Sequence, residues 1–229
     1  MEGVAPTLLF LLVAALIVAG AVWAWRRERE RRRRFRAWAA EHGFRYDPGL
    51  RKQLLKSLSF LDRLRRGHSR RAYHVLEGAW QGRPALAFQF RYTTGSGKNQ
   101  STHWLEVFAI RLERRFPELV LHPENFLTRI AEAFGLPDVD FESVEFSNAF
   151  RVSCRDKKFA YDFCNTAMME YLLRHRKTVL ELEGDVLALF AVGTLQAEDL
   201  EPAFDHLTAI RERMPRYLFR PDAPLQSTP

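Results

Sequence analysis

The sequence predicts an α+β fold: a largely antiparallel sheet with three packed helices, preceded by one N-terminal transmembrane helix and a basic stem. Three observations lead there. Residues 5–25 are an uncharged apolar run, and arginines follow at once. Strand-like alternation then fills most of residues 72–121. Beyond it, helical stripes alternate with strand patterns, as in helices laid on an antiparallel sheet. The expected units are a transmembrane helix at 1–25, a basic juxtamembrane stem at 26–71, a cytoplasmic α+β domain at 72–219 and a disordered tail at 220–229.

The apolar run is long enough to cross a bilayer. About 20 residues rising 1.5 Å each span the roughly 30 Å hydrocarbon core. Trp23 and Trp25 fall where an aromatic belt meets the headgroups. A cleaved signal peptide carries its positive charge before the apolar core. Here only Glu2 precedes it, and eight arginines follow between Arg26 and Arg36. Such a flank stays cytoplasmic. The reading is therefore a single-pass protein of the inner (plasma) membrane, N-terminus out. Trp23, Trp25, Arg26, Arg27, Arg31, Arg32, Arg33 and Arg34 form the expected membrane interface, with anionic lipid headgroups as partners.

A pI near 9.7 raises a nucleic-acid reading. The charge distribution opposes it. Residues 1–71 hold 17 Lys/Arg against 6 Asp/Glu, whereas residues 72–229 hold 18 against 22. The excess charge sits beside the apolar run, so no nucleic acid is expected as a partner.

In the stem, Phe35, Trp38, Ala39 and His42 share a helical stripe that continues the first helix to Gly43. Asp47-Pro48-Gly49 is a turn. Leu50, Leu54, Leu58 and Leu61 then mark an amphipathic helix among Arg51, Lys52, Lys56, Arg63, Arg65 and Arg66. Residues 50–71 either pack on the domain or act as an anionic-lipid sensor.

The domain begins with a hairpin turning near Gln81-Gly82, with Leu86, Phe88, Phe90 and Tyr92 on one face. Residues 103–113 are apolar on both faces and so central, and residues 118–123 suggest a fourth strand. A helix is expected over 123–135 and a strand over 146–156. Asp156 caps a helix over 157–174, and a second hairpin turns at Gly184-Asp185. The last helix turns Leu200, Ala203, Phe204, Leu207, Ile210 and Met214 inward.

Chemistry is sparse. The loop TTGSGKNQST lacks the glycine and hydroxyl residue that a phosphate loop needs around Gly-Lys. Cys154 and Cys164 have no metal-ligand spacing, and the histidines show no ligand pair. No cofactor is expected. Glu106 shares a strand face with Trp104, Phe108, Ile110 and Leu112, so its carboxyl needs a partner such as Arg91 or serves as a pocket acid. The function read here is a membrane-tethered cytoplasmic binding or scaffold module with an unknown protein partner. The alternative is an enzyme assembled from distant segments, Glu106 among them.

The stretch FESVEFSNAFRVSCRDKKFAYDFCNTAMMEYLL, followed by LELEGDVLALF, resembles an uncharacterised bacterial family of single-pass membrane-anchored proteins. The likeness covers roughly residues 37–218. It implies a bacterial membrane protein and carries no functional residue with it.

Overall fold

The computed structural model describes residues 4–124 and 136–220, with the side chains of residues 4–8 and Lys52 left aside. Most of the helix expected over 123–135, and residues 221–229 of the tail, lie outside the described residues. Helix α1 (Val4–His42) runs for 39 residues, about 58 Å. Among the described residues it is the one helix long and apolar enough to cross a membrane, and its apolar window is unburied. It fits a single-pass anchor. Gly43 ends it at φ +69°, and the Phe44 N–H donates back to Ala39 O at 2.8 Å. That six-to-one bond is the Schellman arrangement, which needs a residue tolerant of positive φ.

Among the described residues the sheet has six antiparallel strands: β1 (Arg45–Asp47), β2 (His68–Trp80), β3 (Arg83–Thr94), β4 (Ser101–Pro123), β5 (Phe150–Cys154) and β6 (Leu180–Val192). The first five neighbour one another in chain order, and β6 pairs with β4. The β2–β3 turn falls at Gln81 and Gly82, both at positive φ, the pairing that suits a tight hairpin.

Two readings of the sheet are corrected. The two strands expected over 103–123 are one strand, β4, of 23 residues. The second hairpin is not a reversal of β6 against itself. Both halves of β6 pair with β4, from Leu105↔Val192 to Leu121↔Leu180, with register shifts between Arg111 and Leu119. Gly184, at φ +58° opposite Phe116, takes up the shift. The paired ribbon bends enough there for the Phe190 N–H to reach Val179 O at 2.9 Å. A Gly-Asp turn signal marks a bend as readily as a chain reversal.

The sheet has a core on each face. One joins Leu76, Ala87, Phe108 and Ile110 to the foot of α1 and to α5 (Lys157–Phe163), α6 (Thr166–Arg174) and α7 (Leu200–Arg213). The other joins Phe88, Phe90, Leu105 and Val107 to Leu58, Leu61 and Leu64. Each fully buried Leu or Phe contributes about 1.5–3 kcal/mol. Both faces of β4 are thus covered, as a central strand requires.

The helix expected along residues 50–67 is broken into α2 (Lys52–Ser57) and α3 (Asp62–Arg65). The strand expected over 146–156 starts as helix α4 (Val144–Ala149), capped by Ser143, and becomes β5 at Phe150. Asp156 does cap α5, accepting from the Phe159 N–H at 2.9 Å. The helix expected to run to 174 stops at Phe163, because Asn165 caps a second helix, α6, and donates to Arg213 O at 2.9 Å. In α7, Leu200, Phe204, Leu207 and Ile210 are buried as expected. Phe35, Trp38, Phe44, Leu61 and Leu64 are core residues, so residues 26–71 supply part of the packing of the domain.

Candidate functional site

A polar knot fastens α1 to the domain. Gln89 is wholly buried between Phe88 and Phe90, where an amide must satisfy all its hydrogen bonds. Its Nε2 donates to Leu105 O at 2.8 Å and to Gly193 O at 3.0 Å. Its Oε1 accepts from the Leu195 N–H at 2.7 Å and from Arg31 Nη2 at 3.1 Å. Arg31 Nε and Nη2 also donate to Leu195 O, at 2.8 and 2.6 Å. One α1 side chain therefore joins β3 to the segment that leaves β6.

The contact continues down the helix. Phe35 packs on His74, ring centroids 5.3 Å apart, and Trp38 stacks near Trp80 and Phe204, both at 6.2 Å. His74, at φ +51° in a β2 irregularity, lies 2.7 Å from Tyr46 Oη and 3.4 Å from Glu28 Oε1. Six residues, about 9 Å of helix, separate Trp25 from Arg31.

The residues expected at the membrane interface fall into two groups. Arg31 turns into the domain, and Arg34 reaches Glu198 at 2.7 Å. Arg32 pairs with Glu28 at 2.6 Å. Trp23 and Trp25 are exposed, with Arg27 over one ring at 5.4 Å and Arg29 over the other at 5.3 Å. Arg26 and Arg33 are exposed. The signal for Arg31 was its place four residues before Phe35 and seven before Trp38, on the buried stripe. Gln89 could have been read as the lone amide in a strand of aromatic and apolar neighbours.

In residues 50–71 the apolar stripe packs on the domain, with Leu58, Leu61 and Leu64 buried. Arg63 is 1% exposed and pairs with buried Glu181 at 2.9 Å. Arg70 donates to Arg65 O at 2.9 Å, and Arg51 pairs with Asp47 at 3.0 Å. Arg65 pairs with Asp62.

Beside the knot lies an open groove of about 920 Å³. Phe108, Leu189 and Ala191 form its floor, Asp199 just before α7 joins Pro202, Ala203 and His206 of α7, and residues 173–179 form the far wall. Glu106 lines it. Its strand partners are Gln89 and Ala191, while Arg91 pairs with Trp104 one row away and so is not its cross-strand partner. Burial, then the nearby Asp199, raise the Glu106 pKa, and Arg31 opposes them. A β-carbon at Gly193 would collide with Glu106 Oε1, so glycine there leaves room for the carboxyl.

His206 is held neutral. Thr178 Oγ1 donates to His175 O at 2.7 Å, so it accepts from His206 Nε2–H at 2.8 Å. The other ring nitrogen then accepts from the Tyr171 hydroxyl at 2.7 Å. Burial, then the neighbouring His175 and Arg213, push its pKa down from 6.5 to about 4. Burial and Arg31 do the same to His74, also to about 4. An unfolded chain binds these protons between pH 6.5 and 4 and the folded one does not, so stability falls as pH drops through that window. The expected loss is about 2 kcal/mol from each histidine. Denaturant midpoints at pH 7, 5.5 and 4.5 should fall steadily, and His206→Gln should flatten part of the slope. A midpoint independent of pH would contradict the assignment.

Among the described residues, no group of three or more His, Cys, Asp or Glu side chains is placed to hold a metal ion. Burial raises the Cys154 thiol to about 11 and raises Cys164 as well, so both stay protonated and neither is a ready nucleophile.

No family model matches this chain, and no curated protein matches it. A solved structure does: the crystal structure of the mycobacterial trehalose monomycolate transport factor A, TtfA. The TM-score is 0.57 at 14% identity, over 79% of this chain and 92% of that one. At that identity the likeness is one of fold, and it extends the α+β reading to a known architecture.

Proposed function

We propose that this chain is a membrane-tethered binding module that holds its groove against the bilayer surface and engages a membrane-associated partner there. The observation that carries the reading is the bonding of Arg31 to Gln89 and Leu195. A domain fastened to the helix six residues beyond Trp25 has little freedom to leave the membrane. The arginine flank supports a cytoplasmic domain and an outward N-terminus at an inner membrane. The solved neighbour is a transport factor, which agrees with a membrane role that needs no catalysis. His206, with both ring nitrogens engaged, favours binding over acid–base chemistry.

Photo-crosslinking in native membranes tests this. A photoreactive residue replacing Ala203, in the groove, is expected to capture a membrane-associated partner. The same residue replacing Glu212, on the exposed far end of α7, is expected to capture none. Equal capture at both positions, or none at either, would contradict the groove as the binding site.

A further inference from the structure

Beyond the groove, the sheet face under α1 carries a cluster that neither the fold nor the groove requires. Arg91 lies two residues from Gln89 on the same face of β3 and pairs with Arg71 on β2 and Trp104 on β4. Tyr73 pairs with Gln89. The four side chains touch: Arg91 lies over the Trp104 ring at 5.5 Å, Tyr73 and Trp104 rings are 6.4 Å apart, and Arg71 Nη1 is 3.3 Å from Tyr73 Oη. Trp104 is 40% exposed, and Arg71 is exposed.

The docking of α1 gives this cluster a height. Trp38 meets Trp80, Phe35 meets His74 and Arg31 meets Gln89, so each step toward the N-terminus of α1 is a step up β2 and β3 toward Arg71 and Arg91. The row of Arg71, Arg91 and Trp104 lies one same-face step, about 7 Å, beyond Gln89. One turn of α1, about 6 Å beyond Arg31, is Arg27, two residues from Trp25. If α1 spans the bilayer, the cluster and the end of the span stand at the same level. The polar β3–β4 loop with exposed Lys98 continues in that direction.

We infer that Arg71, Tyr73, Arg91 and Trp104 form a second membrane contact, in which the aromatic rings lie among the headgroups and the arginines bind anionic phosphates. The inference rests on the tether reading. Its chemistry is that of an interfacial belt: amphipathic rings at headgroup depth beside cations attracted to anionic lipid. The cluster contains no acid of its own; Glu106, one row away on the same face of β4, lines the groove, and Glu28 on α1 is already paired with Arg32.

The test uses the full chain in nanodiscs, with a fluorophore on Thr102→Cys, exposed on the same face one step past Trp104, or on Glu212→Cys. Cys154 and Cys164 are buried and do not compete for the label. The probes are lipids carrying a headgroup quencher, one anionic and one zwitterionic. Both should quench position 102 and neither position 212. The anionic lipid should be favoured roughly fivefold for each engaged arginine. Arg71→Gln, at an exposed position, should lower that preference and leave zwitterionic quenching and the melting curve unchanged. Equal quenching at both positions, or none at 102, would overturn the contact. No anionic preference would overturn the phosphate role. A chain washed from vesicles by carbonate would overturn the tether itself, a separate failure read before any quencher is added.

Discussion

Glu181→Leu is expected to destabilise the protein by about 3–5 kcal/mol, the cost of stranding a buried charge. Arg63 and Glu181 are 1% and 3% exposed, and their charged atoms lie 2.9 Å apart beneath α3. The Arg63 N–H also faces Glu181 Oε2 at 3.4 Å, and its guanidinium lies 5.6 Å from the Phe190 ring. Burial lowers the arginine pKa and raises that of the glutamate, each against the attraction of its partner. Desolvation therefore opposes the pair, and its loss as a whole costs little. Arg63→Met combined with Glu181→Leu should return to within about 1 kcal/mol of the parent. Denaturant titration of the four proteins gives the coupling directly. A double variant no more stable than the singles would mean that the site needs its charges.

The second large effect concerns the foot of α1. Trp38→Ala should cost about 3–5 kcal/mol, because the indole fills space between His42, Phe44, Trp80 and Phe204. Removing everything before Gly43 takes away Phe35, Trp38 and Ala39, all buried, together with the Arg31 bonds. That fragment should lose cooperative melting, whereas one starting at Arg26 should melt cooperatively without detergent. Circular dichroism melts of the two fragments decide it. Equal melting from Gly43 would mean that residues after it close the core alone.

Much of this was legible in the sequence because it depends on local periodicity. The apolar run with its one-sided arginines, the stripe from Phe35 to His42, the Gln81-Gly82 turn and the inward face of α7 each announce themselves within a few residues. What failed depends on distant pairing. Nothing near Gly184 says that the chain on both sides of it pairs with β4. Nothing near Arg63 names Glu181, 118 residues away in sequence, so its charge reads as solvated. Arg31 was hidden in a crowd of like residues, although its spacing from Phe35 marked it. Glu106 stood out as a carboxyl on an apolar face, but the α7 wall that makes a groove beside it belongs to tertiary structure.

The central claim is that the juxtamembrane helix and the domain form one body. Spin labels at Arg33→Cys, on the exposed side of α1, and at Glu212→Cys, on α7, measure it by pulsed electron resonance in nanodiscs. The account predicts a single narrow distance distribution, the same in nanodiscs and in detergent. A broad distribution, or one that shifts between the two, would show a loose stem and contradict it.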